Sequence, residues 1–383
     1  MLSKLAGAAI RYKVNAYPLT DISALSEQWQ ALEACSDNPF FLSWQWIGVW
    51  LTAFQSQVTV VTVHSCEEQL VALGLLVQKN TRRHGFLSSK CLYLHQTGLP
   101  ESDQIWVEYN GFLIDKAHTE EAEKAALSYI REQMNWDEWI VGAIEASKIK
   151  LYCEELNTSA HILWDAPCYG VDLTSLKTSA QCYLQTLSAN TRYQINRARR
   201  LYEQEGSIKI LRPESVSEAQ AWFDKIGPLH IKRWGDGLAQ SGFANPLFVQ
   251  FHRQLIEQCW NQFVDIVAIE LDGVPIALFY NFIYRRRVYF YLAGLRVEQD
   301  SKLKPGLLGH ALCIEDYVER GYEFYDFMGG EERYKTQLGT RHSHLVRVSL
   351  QRHQFKFLLE QQARKVKNQL FGTDVDISKF RRR

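Results

Sequence analysis

The stretch 264–338 constrains this chain more than any other, because strand-like and helical runs follow one another there in an order that few architectures accommodate. The runs 264–271 and 274–284 are rich in β-branched and aromatic residues, and Asp272-Gly273 separates them. A short Asp-Gly link between two such runs predicts a hairpin. Arg285-Arg286-Arg287 then leads into a third run, 288–295, so three antiparallel strands are expected. Behind them Lys304-Pro305-Gly306 opens a helix on which Leu307, Ala311, Ile314 and Val318 recur at helical spacing, with Leu308 and Leu312 beside them. Gly321 ends that helix, 323–327 reads as a short strand, and Gly329-Gly330 precedes a second helix start.

This order has a chemical consequence. A helix entered through Pro-Gly presents unpaired backbone N–H groups and the positive end of its dipole, where phosphate groups settle without a charged side chain. A strand on each side of such a helix leaves a crevice for a long ligand arm. With Asp272-Gly273, Lys304-Pro305-Gly306-Leu307-Leu308, Gly321 and the run Tyr325-Asp326-Phe327-x-x-Gly330-x-x-x-Tyr334-Lys335, the segment resembles the acyl-CoA half of the GNAT acyltransferase fold. The resemblance is closest to the CelD-like branch, associated with cellulose biosynthesis, which is similar to the FemAB peptidyltransferases.

At 383 residues, two domains are a better expectation than one core. Lys+Arg and Asp+Glu both number 43, so nothing global argues for nucleic acid, and the balance weakens long-range steering of any polyanion. Eight cysteines form no CxxC or other short pair, so neither a disulfide framework nor a zinc site is expected, and a reducing compartment fits. No run reaches transmembrane length. The first residues hold a brief apolar piece interrupted by Lys4 and Arg11, read as the approach to a strand and not as a signal peptide. The cytoplasm is the expected compartment.

Along the chain, 10–17 reads as a strand, and Asp21 caps a helix with Leu25, Trp29 and Leu32 on one face. Asn38-Pro39-Phe40 breaks it before an aromatic-rich helix over 41–54. Trp29, Pro39-Phe40, Trp46 and Trp50 match the opening pattern of the CelD-like family, and equally form an aromatic core. Strands are expected over 58–64, 70–78 and 86–94, a loop over 98–107, a strand at 111–114, and then helix 118–133, strand 139–143, helix 147–156 and strand 161–164. The second half repeats this order. The expected fold is therefore α/β (α+β), with tandem GNAT-like domains, each a mixed, mostly antiparallel sheet flanked by helices. An N-terminal GNAT-like domain would span 1–166. A C-terminal GNAT acyltransferase domain with a basic terminal helix would span 167–383. In that half a strand is expected at 169–173, and helices at 175–187, 190–206, 215–235 and 245–260. The third of these has a weak spot at Gly227-Pro228. Strands at 207–211 and 345–350 and an amphipathic helix over 354–371 complete it.

Acyl transfer from a thioester to an amine requires the amine to lose a proton, the carbonyl oxygen to be stabilised and the thiolate to gain a proton. Otherwise the protein mainly holds two reactants together. No covalent nucleophile is needed, so the lack of a G-x-S-x-G or Cys-His signature is compatible. Under the resemblance, Gly306, Leu307 and Leu308 supply amides to a pyrophosphate, with Lys304 as a local cation and Lys335 as a further phosphate or substrate contact. Tyr334 stands where a GNAT general acid stands, or is a packing tyrosine. Asp326 and Glu331 are candidates for the base or for binding the amine, and Asp326 equally caps a turn. His230 titrates near neutrality, as a base for an amine must, or is structural. Arg233-Trp234 beside it suits a polar substrate, and Tyr289 and Tyr291 share a strand face that lines a pocket or packs. Arg192, Arg197 and Arg200 form a basic helix face that grips an anion or is simply solvated. His342 and His344 share a face, with no third ligand at useful spacing, so no metal is expected.

The resemblance implies an acyl-CoA-dependent N-acyltransferase. Acyl-CoA would be the co-substrate, and the acceptor an amine on an amino sugar, a lipid precursor or a small molecule. Surface-polysaccharide or cell-envelope metabolism is the common setting. The alternatives are a FemAB-like transferase using aminoacyl-tRNA and a non-catalytic GNAT-like binding or regulatory module. The tRNA reading would predict a broad basic groove or a coiled-coil arm, which charge balance and periodicity do not show. From Arg347 onward the chain is basic, so its terminal helix could touch an anionic membrane peripherally, or pack on the domain.

Overall fold

The structure is a computed structural model that describes residues 12–54, 57–83, 87–179, 182–238, 240–360 and 362. The chain forms two compact units, one built up to Leu163 and again from Val346, the other from Trp164 to Leu345. The division differs from the expectation at its far end. The expected second domain kept everything after residue 166, whereas Val346, Val348 and Leu350 bury themselves in the core of the first unit.

The first unit contains β1 (Lys13–Pro18), α1 (Ile22–Cys35), α2 (Trp44–Ala53), β2 (Val58–His64), β3 (Leu70–Arg83), β4 (Leu87–Leu94), β5 (Leu113–Ile114), α3 (Thr119–Gln133), β6 (Glu138–Glu145) and α4 (Ile149–Leu156). β1, β2, β3 and β4 pair antiparallel in order, β4 pairs parallel with β6, and β5 joins β3. Asp21 accepts from the amides of Ser23 and Ala24, and Leu25, Trp29 and Leu32 are the buried stripe of α1. The helix expected over 41–54 is two pieces. A 3-10 turn, Phe40–Leu42, comes first, and Ser43 then caps α2 by accepting from the Trp46 amide. The aromatics around this joint pack ring to ring, with Phe41 and Trp46 centroids 4.9 Å apart. The strand expected from residue 10 is described from Lys13 on.

A buried ionic cluster closes this unit. Arg83 donates through Nη1 to Glu138 at 2.6 Å, and through Nε and Nη2 to Glu360 at 2.8 Å each. Glu138 is 1% exposed. Helix 355–360, which carries Glu360, is the described start of the helix expected over 354–371. The rest of that basic segment, including Arg381, Arg382 and Arg383, lies outside the described residues.

The strand β7 (Thr158–Asp172) leads into the second unit. Two short strands, 161–164 and 169–173, were expected where this one continuous strand runs. Then follow α5 (Leu173–Ser179), α6 (Tyr183–Thr186), α7 (Ala189–Glu205), β8 (Ile208–Leu211), α8 (Val216–Trp234), α9 (Pro246–Cys259), β9 (Val264–Leu271), β10 (Val274–Tyr284), β11 (Arg287–Leu295), α10 (Pro305–Glu319), β12 (Phe324–Gly329), α11 (Arg333–Leu338) and β13 (Thr340–Arg352). The sheet runs β7-β12-β11-β10-β9-β8. Every neighbouring pair is antiparallel except β11 with β12. α8 stays continuous through Pro228.

Side chains divide between the two faces of this sheet. Phe279, Phe290, Tyr325 and Phe327 share a core with Leu308 and Ile314 of α10 and Ile195 and Tyr202 of α7. Tyr280, Phe282 and Tyr291 pack against Phe223 of α8 and Phe248 and His252 of α9 on the other face. β11 and β12 pair only at Arg287–Phe324, Val288–Tyr325 and Tyr289–Asp326. Beyond that point β11 stays with β10 as far as Leu295, and β12 stays with β7 as far as Gly329. Two parallel strands that part while each is held by its other neighbour leave a wedge-shaped opening.

Arg83→Ala should leave two buried carboxylates facing each other without a cation. A loss of about 3–5 kcal/mol in urea unfolding is expected, and a change under 1 kcal/mol would show that the cluster is not the closure of this unit.

Candidate active site

The opening is filled from the α10 face by a histidine. His310 lies in the second turn of α10, is 3% exposed, and sits with its ring centroid 4.5 Å from Phe290 of β11 and 5.1 Å from Phe327 of β12. Its Nδ1 shares a hydrogen bond of 3.0 Å with the Tyr325 hydroxyl. Tyr334 of α11 stacks on it, centroids 5.1 Å apart at 9°. The tyrosine ring also meets Phe290 and Phe327 edge-on.

α11 reaches this position through a sharp turn. Met328 and Gly330 adopt positive φ, 61° and 145°. The Lys335 ammonium then donates to the Gly329 carbonyl at 2.6 Å and lies 3.2 Å from Glu332. That lysine is 5% exposed.

The electrostatics follow from burial. Burial pushes the His310 imidazole down to about 3, and the nearby cations Lys335 and Arg233 add to the effect. The same burial pushes the Tyr334 phenol up to about 12, with Glu332 adding and Lys335 and Arg233 opposing. At neutral pH the pair is therefore an uncharged imidazole beside a protonated phenol. Arg233 enters from the end of α8, exposed, with its guanidinium 5.0 Å over the Trp234 ring.

α10 opens without a side-chain cap, with Pro305 in its first turn. Leu308 donates its amide to the Lys304 carbonyl at 2.9 Å, which is the first bond of the helix. Among the described residues, the amides of Gly306 and Leu307 have no acceptor. The expectation that Leu308 offers an amide is thus corrected, because that amide is used inside the helix. Gly306 and Leu307 keep theirs, and Lys304 stands half-exposed at the helix entry.

The other expected residues fall in several places. Lys335 is held by Gly329 and Glu332, so it shapes the turn and does not reach out to a phosphate. Asp326 is fully buried on the opposite sheet face from His310, and its Oδ1 accepts from the Met328 amide at 2.7 Å. It therefore cannot itself touch an amine. His230 is 7% exposed, with Nδ1 2.8 Å from the Ser241 hydroxyl. It ties α8 to the turn at Gly242–Ala244 and is not presented to a cleft. Glu331 is exposed in the turn after Gly330. Tyr291 stacks among Phe248, His252 and Phe282, so its ring is packing on the α9 face. Arg192 lines a groove of roughly 580 Å³ with Tyr193, Asn196, Arg199 and Arg200 on α7, while Arg197 lies over the Tyr193 ring at 5.3 Å.

His310 escaped the sequence reading. The stripe Leu307, Ala311, Ile314, Val318 is defined by apolar residues, and His310 is a polar residue on the same buried face. A histidine on the buried stripe of a helix that begins at a phosphate-type entry was the available signal.

His310 also sets a pH dependence. Between its ordinary 6.5 and about 3 the unfolded chain binds a proton that the folded chain refuses. Its contribution is complete above 6.5 and is lost as pH falls toward 3. Replacing it by Phe keeps a ring in place and removes the titration. The stability of wild type relative to His310→Phe should fall by about 2 kcal/mol from pH 7 to pH 5 in urea unfolding, and a constant difference would contradict the assignment.

Three comparisons bear on this geometry. Residues 189–336 match the family described as acetyltransferase (GNAT) domain. No curated protein sequence matches the chain. Among solved structures the chain is similar to FemX, with TM-score 0.55 and 11% identity over 87% of this chain and 96% of that one. It is similar to the C-terminal DUF2156 domain of a putative lysylphosphatidylglycerol synthetase from Agrobacterium fabrum, with TM-score 0.51 and 8% identity over 90% and 96%. It is also similar to a conserved protein of unknown function from Bacteroides thetaiotaomicron VPI-5482, with TM-score 0.51 and 11% identity over 89% and 100%. At such identities the structures speak for the fold alone. Residues 189–336 thus match a GNAT acetyltransferase domain, within a chain whose fold is similar to that of FemX.

Proposed function

We propose that this chain is an acyl-CoA-dependent N-acyltransferase of the CelD-like type. It would move an acyl group from a CoA thioester to an amine of an amino sugar, a lipid precursor or a small molecule. The observation that carries the reading is the wedge between β11 and β12, with two open amides at the start of the helix beside it. Gly306 and Leu307 donate to a diphosphate there, and Lys304 adds a positive charge. The edge of β11 that β12 abandons, from Phe290 on, offers backbone groups to an extended arm.

Tyr334 is the proton donor to the leaving sulfur. A phenol held near 12 stays protonated at neutral pH and so has a proton to give as the C–S bond breaks. His310, neutral and stacked against it, holds that ring in place. Arg233 and Trp234 stand at the rim for a polar acceptor, and the arginines of α7 suit an anionic group on it. Envelope or surface-polysaccharide chemistry supplies acceptors of this description. Such a protein would work in the cytoplasm, peripheral to the inner membrane where its basic terminal segment is used. No described helix is long and apolar enough to cross a membrane.

Acyl-CoAs of graded chain length should raise the melting temperature in a concentration-dependent way, by the equivalent of about 2.7 kcal/mol at a hundredfold excess over Kd. Free adenosine should do so far less. No rise with any acyl-CoA would sink the donor assignment in favour of an aminoacyl-tRNA donor or a binding module. Tyr334→Phe should keep that rise while slowing thiol release about 10²–10⁴-fold, and an unslowed variant would remove Tyr334 from the chemistry.

A further inference from the structure

We infer that His342 is the general base that takes the proton from the acceptor amine, with Asp326 holding it in place; this rests on the acyl-transfer reading above. The starting point is the carboxylate that burial removed from direct contact with substrate. Asp326 is fully buried, yet its Oδ1 lies 3.4 Å from His342 Nε2. His342 itself is 22% exposed at its side chain. A buried carboxylate against an accessible imidazole is the arrangement in which the acid orients and the imidazole acts. With Nε2–H turned to Asp326, Nδ1 carries the lone pair, and no described residue bonds it. Phe324 packs edge-on against the imidazole, centroids 5.1 Å apart, and limits its rotation.

Position matters as much as pairing. Tyr289–Asp326 is the last paired position before β11 and β12 separate. Residues paired across parallel strands share a face, and Tyr289 lies on the face away from α10. The dyad therefore stands at the vertex of the wedge on one side of the sheet. His310 and Tyr334 line the wedge on the other. The opening has a proton acceptor on one face and a proton donor on the opposite face.

The charged and titratable groups around His342 come from several elements. β11 contributes Tyr289 and Arg287, whose Nη1 is 4.0 Å from Asp326. β13 itself contributes Arg341 and His344, and β7 contributes Asp165, which pairs with His344 at 3.3 Å. The His344–Asp165 pair is a surface pair, because Asp165 is 43% exposed. It lacks both the buried carboxylate and the place at the vertex.

The step balances without an oxidant or reductant. The amine nitrogen forms a bond to the acyl carbon and gives its proton to His342 Nδ1. The C–S bond breaks, and the sulfur takes the Tyr334 phenolic proton. Solvent then takes the proton from His342 and gives one to the Tyr334 phenolate, which restores both groups.

The test uses the full chain with acetyl-CoA, following thiol release over a panel of primary amines (ethanolamine, glucosamine and lysine). His342→Gln can still donate to Asp326 but cannot accept a proton. It should lower kcat/KM about 10²–10⁴-fold and flatten the acidic limb of the pH profile, with the acetyl-CoA melting shift unchanged. His342→Ala should regain part of its activity when free imidazole is added, which a purely structural side chain would not allow. His344→Gln should behave as wild type. The assignment is overturned if His342→Gln stays within twofold of wild type, or if it keeps the acidic limb. It is overturned too if the wild type is stabilised by acetyl-CoA yet consumes none across the panel. Absence of any acetyl-CoA stabilisation would instead remove the donor reading on which it rests.

Discussion

The parting of β11 from β12 after three residue pairs is the constraint on which the candidate site depends. Parallel strands left to themselves continue pairing, since each further residue satisfies backbone groups. Here each strand is tied elsewhere. β11 follows β10 to Leu295 and β12 follows β7 to Gly329, so neither can drift back to the other without breaking a second ladder. The opening is therefore a built feature. α10 closes on it because Gly309 allows a near approach, since a Cβ there would come within 2.5 Å of the Phe279 ring. One helix turn lower or higher, His310 would not reach between Phe290 and Phe327.

The two ends of α10 do different jobs. Its C-terminal end is locked into a polar network. Tyr317 donates to Asp265 at 2.7 Å, Arg320 reaches the same carboxylate at 3.1 Å, and Arg212 bridges Asp265 and Asp316 at 2.9 and 2.5 Å. Charge-assisted bonds of this kind, satisfied on both sides, hold a helix firmly. Its N-terminal end keeps two amides open. A helix fixed at one end can leave the other end uncapped, because the network and the buried stripe supply the positioning that a cap would otherwise give. Around the wedge the balance is similar. The interior residues His310 and Tyr334 are neutral at pH 7, and the cations Arg233 and Lys335 stand at the edge.

Much of this was legible in the sequence, and the limits have physical causes. The hairpins at Asp272-Gly273 and Arg285-Arg286 were readable because positive-φ turns restrict residue choice, and Asp272, Arg285 and Arg286 do take positive φ. The end of α10 at Gly321 was readable for the same reason, since Gly321 takes φ 81°, and its start from the proline in its first turn. The long β7 was not, because its exposure alternates weakly and Pro167 reads as a break. The return of 346–352 to the first unit was invisible, since periodicity reports that a strand has a buried face and not which core receives it. Among candidate site residues, the sequence singles out Tyr334, which stacks on His310, and Gly306 and Leu307, whose amides have no acceptor among the described residues. Of the two roles it left open for Asp326, burial denies the direct one and the Met328 amide fits the turn cap; it could not show that His342 lies against Asp326, because that contact joins residues 16 apart with α11 between them.

That contact also couples two features that seem separate. Along β12 the pleat sends Tyr325 and Phe327 toward α10, and Phe324 and Asp326 to the other face. A strict continuation would place Met328 with Asp326. Instead the register shifts between them, Met328 takes φ 61°, and its amide folds back onto the Asp326 carboxylate. This bulge turns the chain into Gly329-Gly330 and so aims α11, with Tyr334, at His310. The same carboxylate holds His342 on the opposite face. One buried side chain therefore fixes both the bend that delivers Tyr334, the proposed proton donor, and the orientation of His342, the proposed acceptor. Neither can move far without the other, which is what a transfer between two faces of one opening requires.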